Sequence, residues 1–139
     1  MADDLKAAIT SSVAALRAQS IRLRIVSENL ANAGVTAATA QGDPYVRKTV
    51  SFKEVLDRST GASLVQIDAI ARDKSPFSVQ HDPGHPAADA NGNVRMPNVN
   101  PLVELADMRE GHRSYDASLQ VIRQTREMIA DLLELLRAR

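Results

Sequence analysis

Between Asn100 and Arg139, apolar or aromatic residues recur in alternating steps of three and four: Leu105, Met108, Tyr115, Leu119, Ile122, Ile129, Leu133 and Leu136. This spacing predicts a helix with one narrow apolar seam. His112 and Arg126 interrupt the row, and polar residues on such a seam fix register and partner choice at some cost in stability. Asn100 is the expected N-cap, Pro101 the first helical position and Glu104 an acidic first-turn residue, while Arg137 and Arg139 suit the negative end of the helix dipole. At 1.5 Å per residue the helix approaches about 60 Å, more than a compact domain of this size needs. It must pack along something equally long, either in the same chain or in other copies.

Residues 3–32 read as a second long helix. Ile9, Val13, Leu16, Leu23 and Leu30 keep the same spacing, with Ser20 and Ser27 filling the gaps. Abundant alanine raises helix propensity and permits close approach of a neighbour. Asp3 and Asp4 sit at the positive end, and Gly34 is expected to close the helix in a left-handed conformation. Val35 to Gly42, rich in Ala and Thr, reads as a flexible connector.

Beyond it the period falls to two. Val46, Val50 and Phe52 share one face of a first strand, and Lys53 to Asp57 reads as a short helical turn. Val65, Ile67 and Ala69 mark a second strand, Phe77 to Gln80 a third, and Asn91-Gly92 a tight turn into Val94-Arg95-Met96. The predicted fold is mainly α with a small β-rich insertion. Long N- and C-terminal amphipathic helices form an antiparallel coiled-coil-like pair around a central β module. By segment this is an N-terminal helix (1–33), a connector and β module (34–99) and a C-terminal helix (100–139).

Composition excludes several functions. Lys plus Arg equals Asp plus Glu, 17 of each in 139 residues, so no basic excess draws the chain to nucleic acid or an anionic membrane. Apolar runs are too short to span a bilayer, and Met1-Ala2-Asp3-Asp4 is unlike a cleavable secretion signal. The absence of cysteine rules out disulfides, thiolate metal sites and cysteine nucleophiles. His81, Asp82, His85 and Asp89 could supply metal ligands, which keeps a small metal-dependent hydrolase open as an alternative. The intervening Pro83, Gly84 and Pro86 favour instead a rigid turn, with Asp82 capping the bend and Gly84 permitting a positive φ. No catalytic triad, nucleophile elbow or phosphate loop is present, and no catalytic residue, cofactor or metal is expected. A soluble helical adaptor that captures partner helices in a groove is a second alternative.

Particular residues carry a resemblance. Ser27-Glu28-Asn29-Leu30-Ala31-Asn32 resembles the N-terminal signature of the axial proteins of the bacterial flagellum. Tyr45 to Lys48, Asp73 to Phe77, His81 to Asp89, Met96 to Asn100 and Asp107 to Ala117 follow as landmarks similar to those of the FlgC family of proximal-rod proteins. Ala87, Asn93 and Ser118 depart from that pattern, which has an acidic, an aromatic and an asparagine residue there. The resemblance implies a structural subunit of the basal-body proximal rod, polymerising through its terminal helices into a hollow tube that transmits torque from motor to hook. It implies export through the flagellar secretion channel without a cleaved signal, a periplasmic position, and partners among its own copies, other rod subunits, the export apparatus and the motor-ring base. Within the same axial family another rod component is the alternative. The expected assembly residues are Leu16, Leu23, Asn29, Leu30, Asn32, Tyr115, Leu119, Ile122, Ile129, Leu133 and Leu136, with Asp82, Pro83, Gly84, His85 and Pro86 as the structural turn. The resemblance also implies helices that become ordered on assembly.

Overall fold

The computed structural model describes residues 2–137; Arg139, expected at the helix-dipole end, lies outside them. In chain order the elements are α1 (Ala2–Ala31), β1 (Lys48–Leu56), β2 (Ser63–Arg72), β3 (Ser78–His81), β4 (Asn93–Met96) and α2 (Pro101–Arg137). Two long helices flanking a small β module is the predicted fold class. α2 begins as its sequence dictates: Asn100 Oδ1 accepts the Leu102 N–H at 3.0 Å, capping an otherwise orphaned donor.

Several local expectations are corrected. α1 does not close on a left-handed glycine, since Gly34 has no positive φ. Asn32 closes it instead: its side-chain amide donates to Glu28 O at 2.7 Å, and Ala33 and Val35 continue in tighter turns onto Leu30 O and Asn32 O. The segment after it is a pinned loop, not a flexible connector. Tyr45 N–H donates to Val35 O, the Thr36 hydroxyl meets His85, and the Arg95 guanidinium donates to Gly42 O at 2.6 Å while pairing with Asp43. Residues 53–56 extend β1 and form no helical turn, because the reversal comes later. There Asp57 accepts from Ser59 and Thr60, and Gly61 supplies the positive φ of 68°. Phe52, expected on a half-buried face, is exposed.

β1 and β2 form one two-stranded sheet, and β3 pairs antiparallel with β4 in another, Val79 opposite Arg95 and His81 opposite Asn93. By compactness the chain divides into two units that cut across its sequence segments. The first comprises Met1–Leu23, Ser51–Ala69 and Glu110–Arg139; the second comprises Arg24–Val50 and Ile70–Arg109. The second holds most of the buried apolar side chains, including Ile25, Val26, Ala87, Val94 and Val99, whereas the first buries Ala18, Ala62 and Ile122.

In the first unit α1 and α2 run antiparallel: Leu23 packs on Gly111, and Leu16 and Ser20 share a cavity wall with Tyr115. Along α2 the buried and half-buried row is Glu104, Met108, Gly111, Tyr115, Ser118, Ile122, Thr125 and Ile129. This row keeps the predicted three-and-four spacing and half of the predicted residues. Glu104 and Ser118 stand one position before the predicted Leu105 and Leu119, of which Leu119 stays half-buried. Gly111 and Thr125 likewise precede His112 and Arg126, which are exposed and do not lie on the seam within this chain, and Leu133 and Leu136 lie beyond the row. Small residues explain the displacement. Gly111 lets the backbones approach, and the Ser118 and Thr125 hydroxyls donate to their own helix at Ser114 O and Val121 O, so they can face a neighbour without needing water. A side chain at Gly111 would start 2.8 Å from Leu23 Cδ2. We therefore expect Gly111→Ile to destabilise the protein by about 1–3 kcal/mol, the usual cost of overpacking. Gly111→Ala should be near neutral in urea unfolding, because its gain of about 1 kcal/mol in helix propensity offsets a rotation of the Leu23 tip.

Candidate assembly surface and a buried polar clamp

Two features stand out in the structure: a buried polar cluster in the second unit, and an apolar surface left uncovered along α2. The cluster is centred on Asn29, 1% exposed, and Glu104, 0% exposed. Asn29 Oδ1 accepts from the Tyr45 hydroxyl at 2.9 Å and from Lys48 N–H at 2.9 Å. Its amide nitrogen donates to Lys48 O at 2.8 Å and to Glu104 Oε2 at 3.0 Å. The hydrogen-bonding capacity of the side chain is thereby filled. Glu104 Oε1 accepts from Arg47 Nε at 2.6 Å, and Arg47 also reaches Asp73 at 3.3 Å and Asp107 at 3.7 Å. Asn98 closes the ring, accepting Arg47 N–H at 2.8 Å and donating to Asp73 O and to Ser75. Lys48 pairs with Glu28 beside it.

The electrostatics follow from this packing. Burial works against the Arg47 charge, yet the hydrogen bond and field of Glu104, with those of Asp73, outweigh it and raise its pKa above the ordinary value. Burial, then the fields of Glu28 and Glu104, pushes the Tyr45 phenol up, so it stays a donor to Asn29. The Ser75 N–H and hydroxyl, with Arg47, hold Asp73 below the usual carboxylate range. The arrangement holds backbone and side chains in place and presents no nucleophile beside a base. Sequence reasoning had placed Asn29 at a contact and missed Arg47, Asp73, Asn98 and the burial of Glu104. The signal was nevertheless present: five of the landmark stretches carrying the family resemblance each contribute a member of this cluster.

The remaining expected residues fall into distinct places. Leu16, Leu23, Leu30, Tyr115, Leu119 and Ile129 are half-buried and Ile122 is buried, whereas Leu133 and Leu136 are 54% and 71% exposed. Leu132, Leu135 and Met128 add to this uncovered apolar surface. Asp82 to Pro86 forms a turn: Asp82 O accepts from His85 N–H at 3.2 Å and Asp82 Oδ1 from Gly84 N–H at 3.3 Å. Gly84 itself has no positive φ; that role falls to Gly92, at 75°, which packs against Pro83. His85 Nδ1 accepts the Ala87 N–H, so the neutral ring carries its proton on Nε2, facing Thr36. Among the described residues no three His, Asp or Glu side chains converge in a way that could hold a metal ion. None of the described helices is long and apolar enough to cross a membrane.

Two outcomes are expected from the cluster. Asn29→Asp sets a carboxylate against Glu104 and Lys48 O, and should destabilise the protein by roughly 3 kcal/mol at neutral pH, the scale of an uncompensated buried charge. The deficit should shrink as falling pH protonates one of the pair, read by denaturant unfolding across pH. Asp73→Asn tests the depressed carboxyl. Its contribution to wild-type stability is complete above the unfolded value of 3.8 and is lost as pH falls through the lower folded value. The difference between wild type and variant should therefore vanish in strong acid.

Comparison with known proteins agrees with this architecture. Residues 90–135 match the family described as flagellar basal body rod FlgEFG protein C-terminal. The chain is 54% identical over 136 residues to the flagellar basal-body rod protein FlgC of Agrobacterium fabrum, covering 98% of each. It is 36% identical to the FlgC proteins of Bacillus subtilis and Salmonella typhimurium, covering 89% and 87% of this chain and 93% and 90% of theirs. Together with two long helices around a small β module and a polar cluster built from the landmark residues, these similarities establish that the chain belongs to the FlgC family of flagellar basal-body rod proteins.

Proposed function

We propose that this chain polymerises through its terminal helices, with copies of itself and with other rod subunits, into a hollow helical tube that transmits torque from motor to hook. Residues 1–33 and 100–139 act as the axial segments, and residues 34–99 supply the connector and a β module on the outside of the tube. The subunit travels through the flagellar secretion channel without a cleaved signal, engages the export apparatus and the motor-ring base, and works in the periplasmic space. It performs no catalysis.

The observation that carries this reading is the exposed leucine surface near the end of α2. Apolar side chains at 54–71% exposure, as at Leu133, Leu135 and Leu136, gain about 25 cal/mol for each Å² later removed from water. A heterologous contact whose rotation does not close would repeat that gain in every copy and produce a filament instead of a ring. Leu133 and Leu136 then act between subunits. Leu16, Leu23, Ile122 and Asn29 hold α1 against α2 and present that surface.

Leu133→Asp should abolish incorporation into rods, assayed in purified basal bodies, while export into the medium persists; normal motility in this variant would overturn the reading. In the unassembled protein, amide hydrogen exchange should be slow in the second unit and fast in residues 2–23 and 110–137, because the first unit buries little apolar surface of its own. Equal protection of both units would mean that the helices need no neighbours to be ordered.

A further inference from the structure

In the first unit, one face of α1 and the strand β2 enclose an open groove of about 590 Å³. Its helical wall is a ridge formed by the row Ile9, Val13, Arg17 and Ile21, four residues apart and so inclined to the helix axis, and Val65 and Ile67 line it from β2. The same chain's α2 meets an adjacent face of α1, the one bearing Leu16, Ser20 and Leu23. Arg17 and Ile21 border both that contact and the groove, and none of the residues lining the groove comes from α2. The ridge is apolar except for Arg17, an exposed cation at its centre. Its occupant must therefore be apolar with an acidic group partway along.

We infer that the groove receives the end of α2 from a second copy of this chain. Met128, Leu132, Leu135 and Leu136 lie on one face of that helix and are exposed. Asp131 flanks the row beside Leu135, and Glu134 lies one turn before the end of the described helix. At 1.5 Å per residue the ridge from Ile9 to Ile21 is about 18 Å long, and the segment from Met128 to Leu136 spans about 12 Å. The apolar row fits within the ridge, and Asp131 can reach Arg17. The mode is helix-in-groove recognition, with the charge pair setting register more than affinity. Groove and knob are different surfaces, so each copy offers one to the next, as an open helical assembly requires. This inference rests on the assembly reading above and names its contact.

The chain has no cysteine, so a disulfide can be introduced cleanly. In purified basal bodies carrying a Val13→Cys, Leu135→Cys chain, mild oxidation should give a ladder of covalent multimers that neither single variant gives. A chain that incorporates but stays monomeric on oxidation would overturn the groove contact and leave the rod reading standing. A wild-type chain absent from basal bodies would overturn both. Should the double-cysteine chain fail to incorporate, charge reversal decides. Arg17→Glu and Asp131→Arg should each lose swarming, and the two combined in one chain should regain it; no recovery would overturn the inference.

Discussion

The buried amide of Asn29 and the carboxylate of Glu104 constrain everything around them. A polar side chain removed from water costs free energy unless each of its hydrogen-bonding groups finds a partner. Here the partners come from five places in the chain: the end of α1, the entry to β1, the loop after β2, the approach to α2 and its first turn. A shift of α1 by one turn would take Asn29 away from Glu104 and from the Lys48 backbone, and a shift of α2 would take Glu104 away from Asn29 and Arg47. Apolar side chains tolerate sliding, since one methyl is much like another, whereas an amide with its donors and acceptors all engaged does not. The clamp therefore sets register, and it does so in the unit that also holds most of the core.

Among the described residues the first unit has no such clamp. Its helices meet through small residues, Gly111 with Leu23 and the row of Ser118 and Thr125, which bring the backbones close while burying little apolar area. Several larger apolar residues of α2, namely Val121, Met128, Leu132, Leu133, Leu135 and Leu136, face outward, and so does much of the hairpin, with Phe52, Leu56 and Val65 exposed. A chain with one clamped unit and one thinly packed, outwardly apolar unit has the distribution of stability that a structural subunit of a tube requires. In the proposed tube one part is shaped in advance, and the other has its burial completed by neighbours.

The resemblance that pointed to the FlgC family and the cluster that orders the second unit draw on the same residues. Asn29, Tyr45, Arg47, Lys48, Asp73, Ser75 and Asn98 all lie within the landmark stretches. As motifs they looked like scattered polar residues in strands, loops and a helix end. The structure gives them a common purpose as one hydrogen-bonded network.

What the sequence by itself determined was periodic: two long helices from their three-and-four spacing, short strands from alternation, the Asn100 cap, and the turn at Asn91-Gly92. These features depend on neighbours within a few residues, where backbone geometry leaves few options. Only the tertiary structure decided which face of each helix is buried. Large apolar side chains advertise a seam, but the closest helix approach goes to small ones, so the buried row of α2 runs through Gly111, Ser118 and Thr125 and leaves Leu133 and Leu136 outside. The pinned loop after α1 and the strand through Lys53 were likewise settled by partners far along the chain, such as His85, Arg95 and Asp68. Burial and hydrogen-bond pairing are properties of contacts between distant residues, and no local pattern encodes them.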